Sequence, residues 1–109
     1  MARLAFALLL VVTFAGCDAR TAVNGRVLDA DDHPVEGAKV LLSADPSDPR
    51  STRSATTGND GKYDVGVIHG PGIAHFDFVV SKDGYKAHRE EIASKKQYRD
   101  HTVKLVPEK

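Results

Sequence analysis

The 109-residue sequence has no tryptophan, one methionine and one cysteine, and only 6% of it is aromatic. A single cysteine closes no internal disulfide and leaves no paired-cysteine pattern for redox chemistry or structural zinc. Charge of one sign is not in excess either, since 15 basic residues balance 15 acidic ones. That balance leaves no electrostatic footprint for nucleic acid, so no nucleic-acid partner is expected. No stretch beyond the first residues keeps a 3.6-residue apolar period over a helix-length window. Core packing and sheet hydrogen bonds must hold the fold. The length has room for one domain.

The apolar residues crowd at the start. Arg3 is the only charge before Cys17, and residues 4–12 form an unbroken apolar run. A spanning helix needs about 20 apolar residues, so this run has instead the length of a signal-peptide core. Phe14-Ala15-Gly16-Cys17 then resembles a bacterial lipobox, in which small residues precede an obligatory cysteine. Phe14 departs from it, standing where leucine is commonest. The resemblance implies that 1–16 is a lipoprotein signal peptide and that Cys17 is the lipid attachment site, its thiol alkylated by diacylglycerol and its freed amino group acylated (the palmitate type of anchor). Each buried CH₂ contributes about 0.8 kcal/mol, so two or three chains hold far better than one. The lipid bilayer is then a partner through acylated Cys17. The expected location is the cell membrane or the outer membrane, facing the periplasm or the exterior. Asp18 resembles an inner-membrane retention signal of enteric bacteria. Residues 17–21 read as a short acylated tether.

From residue 22 onward, apolar–polar alternation is broken by turn residues at intervals of about 8–12, the signature of a sandwich or barrel. Seven strands are predicted, at 22–30, 38–44, 54–57, 62–68, 74–82, 86–93 and 100–106, with the last two paired. Inward positions are Val23 and Val27, Val40 and Leu42, Tyr63, Val65 and Val67, Phe76, Phe78 and Val80, Ile92, Val103 and Leu105. The turns fall at 31–37, 58–61, 69–72 and 83–85, while 45–53 reads as a mobile connection. If the first strand leads away from a membrane, 31–37, 69–73 and 83–85 are expected at the far end.

The order of these pieces resembles the carboxypeptidase regulatory-like domain, over 22–106. "VNGRVLDADDHPVEGAKVLL", "TTGNDGKYDV" and "VVSKDGYKAHREEI" carry the resemblance. Pro34, Gly37, Ala38 and Val40 fit its first hairpin; Asp60, Gly61 and Tyr63 fit its "T-x-x-D-G-x-Y" turn; Gly84 and Tyr85 fit its later "GY" turn. It implies an all-β, Ig-like or prealbumin-like seven-stranded β-sandwich behind the signal peptide. It is a scaffold pattern and transfers no catalytic residue.

The remaining candidates are weaker. His33, His69, His75, His88 and His101 raise the question of a metal: His69 and His75 flank a turn, and His88 and His101 lie in the strands expected to pair. A stable site wants three or four ligands, and surface histidine is the commoner role. Asp29, Asp31 and Asp32, with Asp60 and Asp64, lack the spacing of an EF-hand calcium loop. No metal and no cofactor are therefore expected. The related transthyretin-like hydroxyisourate hydrolases end in "YRGS", and "YRDH" at 98–101 is only half of that string. Neither a G-x-S-x-G nor an HExxH motif is present. An internal Lys–Asn isopeptide staple lacks its lysine in the first strand and its asparagine in the last. No enzyme is expected. Glycan binding favours exposed aromatic faces, and of the three tyrosines only Tyr98 is expected to be free for stacking. The expected function is a non-catalytic binding or structural module on a cell-envelope lipoprotein, its partner another envelope protein or an envelope polymer. A glycan- or peptide-recognition accessory domain is the alternative.

Overall fold

The computed structural model describes residues 19–45, 49–70 and 72–108. The expected signal peptide 1–16 and the lipid-attachment residue Cys17 lie outside the described residues. Eight strands are found among the described residues: β1 (Ala19–Leu28), β2 (Lys39–Ser43), β3 (Thr52–Thr56), β4 (Lys62–His69), β5 (His75–Ser81), β6 (His88–Ala93), β7 (Gln97–Tyr98) and β8 (Val103–Lys104). The helical element among them is a 3-10 turn at Pro49–Ser51.

Two sheets face each other. One is built on β1, which β4 follows antiparallel from Ala19↔His69 to Arg26↔Lys62. Along the other edge of β1, the short strands β7 and β8 pair in parallel, at Ala22–Val23 and at Val27–Leu28. The second sheet is antiparallel in the order β3-β2-β5-β6. Alternation decides which side faces in. Val23, Val27, Val40, Leu42, Tyr63, Val65, Val67, Phe76, Phe78, Val80, Ile92, Val103 and Leu105 are all buried, each at its expected inward position. Burying a side chain such as Phe78 stabilises by about 1.5–3 kcal/mol. Both sheets and this whole core lie within residues 19–108, so that segment is a complete folding unit.

The sandwich differs from the sequence expectation in five places. The stretch 45–53, expected as a mobile connection, holds the 3-10 turn at Pro49–Ser51 and the start of β3 at Thr52, because Thr52 and Arg53 pair with Ser43 and Leu42 and the Ser43 and Thr52 hydroxyls meet at 2.9 Å. β1 starts at Ala19 rather than at 22. Thr21 explains why: its buried hydroxyl oxygen accepts the Lys95 amide at 2.8 Å and meets His69 Nε2 at 2.8 Å. Of the expected tether 17–21, residues 19–21 are therefore strand. Seven strands become eight because β7 is too short to show any periodicity. The strands expected at 86–93 and 100–106 do not pair: β6 edges the second sheet, whereas β8 lies on β1 in the first. Between them the chain crosses the seam to fill the open edge of β1, turning at Lys95 (φ 65°) and Asp100 (φ 54°). Finally, the 69–73 loop sits at the end where β1 begins, since His69 is opposite Ala19. The far end holds the 29–38, 57–61 and 82–87 turns instead.

Candidate functional site: a charged groove and a histidine–glutamate cluster

The turn residues singled out in the sequence converge at the far end of the sandwich. Gly37, Gly61 and Gly84 all have positive φ, at 78°, 76° and 88°. At Gly61 the requirement is double, because a Cβ there would lie 2.7 Å from the Val27 carbonyl oxygen and 3.0 Å from Pro34. Pro34 bridges to Leu28, and Tyr85 bridges to Pro107 with its ring packed on the core edge. The Asp60 carboxylate accepts the Lys62 amide at 3.0 Å. Thr57, which opens the "T-x-x-D-G-x-Y" turn, locks the 35–38 turn: its buried hydroxyl donates to the Val35 carbonyl at 2.6 Å and accepts the Ala38 amide at 2.9 Å. These groups shape loops. They do not gather into a reactive centre.

Along the far half of β1 and β4, reaching to β3 of the other sheet, lies a groove of about 710 Å³. Asn24, Arg26, Lys62 and Asp64 belong to its lining, with Ala55 and Thr56 from β3 and Asp100 and Thr102 from the crossing segment. Arg26 and Lys62 are direct cross-strand partners. Like charges placed opposite each other destabilise a sheet, and no described carboxylate forms an ion pair with either. Sequence reading misses this pair because it needs the β1–β4 register. The groove offers cations, carboxylates, an amide and hydroxyls.

The histidines separate. His69 turns to Thr21 and packs at a tilt against Phe76, with ring centroids 4.9 Å apart, while His75 is exposed on β5. They do not form a pair across the hairpin mouth. His88 and His101 do converge, and the residue that joins them is Glu90. Its Oε2 lies 2.6 Å from His88 Nε2 and 3.0 Å from His101 Nε2. His88 and Glu90 occupy inward positions of the edge strand β6, where half-burial demands partners. Phe78 meets both imidazoles edge-on, at 6.5 and 5.5 Å. Partial burial pushes the Glu90 carboxyl up, but the two imidazole hydrogen bonds outweigh it and hold it below the ordinary range. The meeting of His88 and His101 is expected from the sequence through a pairing of 86–93 with 100–106, but it comes about without that pairing, across the two sheets, and the sequence does not single out the carboxylate between them.

His101 is held by its backbone. Its amide donates to the Asn24 carbonyl at 2.8 Å and its carbonyl accepts the Tyr63 hydroxyl at 2.6 Å. A Cβ on Gly25 would overlap the His101 carbonyl oxygen and lie 2.6 Å from its nitrogen. Burial, reinforced by the Glu90 charge, pushes the Tyr63 phenol well up. Tyr98 is not free for stacking: it is half-buried against the core and its hydroxyl donates to the Ala93 carbonyl at 2.9 Å. Among the described residues, the group that brings three possible metal-ligand atoms within 4.8 Å of one another is Asp29, Asp31 and His33. There the Asp29 carboxylate already accepts the Asp31 and His33 amides at 2.8 and 2.9 Å, and the His33 amide bond holds its carboxyl below the usual range. That is the chemistry of a turn.

The family model described as the carboxypeptidase regulatory-like domain matches residues 22–106. No curated protein matches the sequence. Among solved structures, the chain is similar to wild-type catechol 1,2-dioxygenase from Acinetobacter radioresistens, at 17% identity and a TM-score of 0.61, covering 84% of this chain and 53% of that one. It is also similar to 3-chlorocatechol 1,2-dioxygenase from Rhodococcus opacus, at 10% identity and a TM-score of 0.61, over 82% of this chain and 60% of that one. A third is the dioxygenase domain of a dioxygenase carbohydrate-binding protein fusion from Streptomyces sp. SirexAA-E, at 17% identity and a TM-score of 0.54, over 69% and 56%. The chain spans little more than half the length of these proteins, and the likeness is one of fold.

Proposed function

This chain belongs to the carboxypeptidase regulatory-like domain family, and from that premise we propose that it is a cell-envelope lipoprotein, anchored through acylated Cys17, whose prealbumin-like sandwich is a non-catalytic binding module. The observation that carries the binding role is the groove on β1 and β4. Its Arg26 and Lys62 stand opposite each other, an arrangement unfavourable in a sheet, and form no ion pair with a described carboxylate although Asp64 and Asp100 line the same groove, which suits a surface kept for an outside ligand. Charged and amide groups without a free aromatic face suit an extended peptide or a carboxylate-bearing envelope polymer better than a stacked sugar ring. The lipobox supports the anchor, and β1 starting at Ala19 keeps the sandwich close to it.

Two measurements on cells test this. Cys17→Ser should abolish labelling by a fatty-acid analogue and move the protein to soluble fractions; unchanged membrane retention without label overturns the acyl anchor. A photo-crosslinking residue at Thr56, on the groove wall, should capture an envelope component, and the Arg26→Glu/Lys62→Glu double variant should lose it. Equal capture by that variant overturns the groove as the binding face.

A further inference from the structure

The end of the sandwich where β1 begins carries a second surface. Arg20 is the direct cross-strand partner of Ile68, and the two share a shallow depression with Arg53, Gly66 and Val67. On the other side of β1, Lys95 and Lys96 are fixed beside it, the Lys95 amide bonded to Thr21 and the Lys96 carbonyl to the Ala22 amide. Arg20, Arg53, Lys95 and Lys96 are all exposed, and no described carboxylate forms an ion pair with any of them. Ile68 is 68% exposed, the largest exposure recorded for a large apolar side chain among the described residues. Carboxylates also stand at this end, Asp45 after β2 and the cross-strand partners Asp77 and Glu91, but they belong to the second sheet; at the far end Lys104 pairs with Asp32 at 2.6 Å.

We propose that this end is a lipid-contact face, on which Arg20, Arg53, Lys95 and Lys96 meet anionic headgroups and Ile68 enters the interface. Its position argues for that occupant. The chain reaches Ala19 at this end, and Cys17 is two residues earlier, so an acyl anchor there holds these cations at headgroup level. The inference rests on the lipoprotein reading for its geometry, but the chemistry of the face is independent of acylation. Basic side chains near an anionic bilayer each strengthen attachment by about fivefold, and one apolar residue amid them adds an insertion point. The face fixes orientation: the groove at Arg26 and Lys62, six residues further along β1 and so about 20 Å from Arg20, then lies on the half of the sandwich away from the bilayer, and the far turns point away with it.

The absence of tryptophan makes the test clean. Residues 19–109, without Cys17, are mixed with phosphatidylglycerol/phosphatidylethanolamine vesicles or with phosphatidylcholine vesicles. Ile68→Trp should give a blue-shifted emission with the anionic vesicles only, reversed by high salt. Val106→Trp, at the other exposed apolar position of the far end, should give none. Replacing Lys95 and Lys96 by Gln should weaken anionic-vesicle binding about 25-fold, while Lys82→Gln/Lys86→Gln leaves it unchanged. Equal shifts at both tryptophans, equal loss in both double variants, or no binding to anionic vesicles overturns the proposal. Because Cys17 is absent from this protein, those outcomes leave the acylation test untouched.

Discussion

The sheet β3-β2-β5-β6 and the segment 94–104 are built on different physical grounds. In the sheet, β2 and β5 pair in simple antiparallel register, and Val40, Leu42, Phe76, Phe78 and Val80 fall inward by alternation alone. Segment 94–104 has two strands of two residues each, turns at positive φ at Lys95 and Asp100, and crosses from one sheet to the other. Its place is fixed by side chains and backbone reaching in from elsewhere: Thr21 to Lys95, Tyr63 and Asn24 to His101, Glu90 to the His101 ring. Apolar alternation specifies a surface. Clamps of this kind specify single points. The clamped segment can therefore be loosened one contact at a time, whereas the sheet fails as a whole.

The largest expected effect falls on the sheet. Phe78→Ala removes a fully buried ring that touches Tyr63, His88 and His101, at a cost of about 3–5 kcal/mol. Urea unfolding should show a single transition at a much lower midpoint. An unmoved midpoint would mean that the register of β5 is shifted by one residue, with Phe78 facing outward.

Next comes the clamp. Gly25→Ala drives a methyl group into the His101 backbone and should cost about 1–3 kcal/mol, the range for overpacking. Hydrogen exchange separates the two regions: amides of 97–104 should lose protection while those of β5 keep theirs. Uniform loss across both would show that the crossing segment and the sheet open as one unit, and the contrast between them would fail.

The smallest effect sharpens the contrast at an exposed clamp. Asp29 holds the 29–33 turn through the amides of His33 and Asp31, and its carboxyl is lowered in the folded protein. A lowered value adds stability above the unfolded carboxylate pKa of about 3.9, and that stability is lost as pH falls through the lower folded value. Asp29→Asn should thus flatten the acid limb of the stability–pH curve and leave its shape near neutrality unchanged. Wild-type and variant curves that run parallel in acid would remove Asp29 from the account.

Legibility follows the same division. The all-β class, the two-sheet core and the far turns at Gly37, Gly61 and Gly84 are readable, because period-2 burial and positive φ each leave a local mark on residue type. The start of β1 at Ala19 is not readable, since Ala19, Arg20 and Thr21 show no alternation and enter the sheet through Thr21 contacts 48 and 74 residues away in sequence. His88 and His101 read as a candidate pair, but Glu90 escapes because a single carboxylate in an exposed-looking edge strand reads as solvated until both imidazoles are seen to close on it. Tyr98 reads as free from sequence because its donor role depends on the turn that brings Ala93 to it.

Residue pattern along the chain is enough to place the strand side chains of the core and the turns, since both are set by neighbours one or two residues away; Val35, buried from within a turn, lies beyond it. The tertiary structure alone decided the β1–β4 register that opposes Arg26 to Lys62, the crossing that brings His101 to Glu90, and the gathering of Arg20, Arg53, Lys95, Lys96 and Ile68 at one end. Each of those depends on pairings between distant segments, and a pattern of local preferences contains no term for the distance between them.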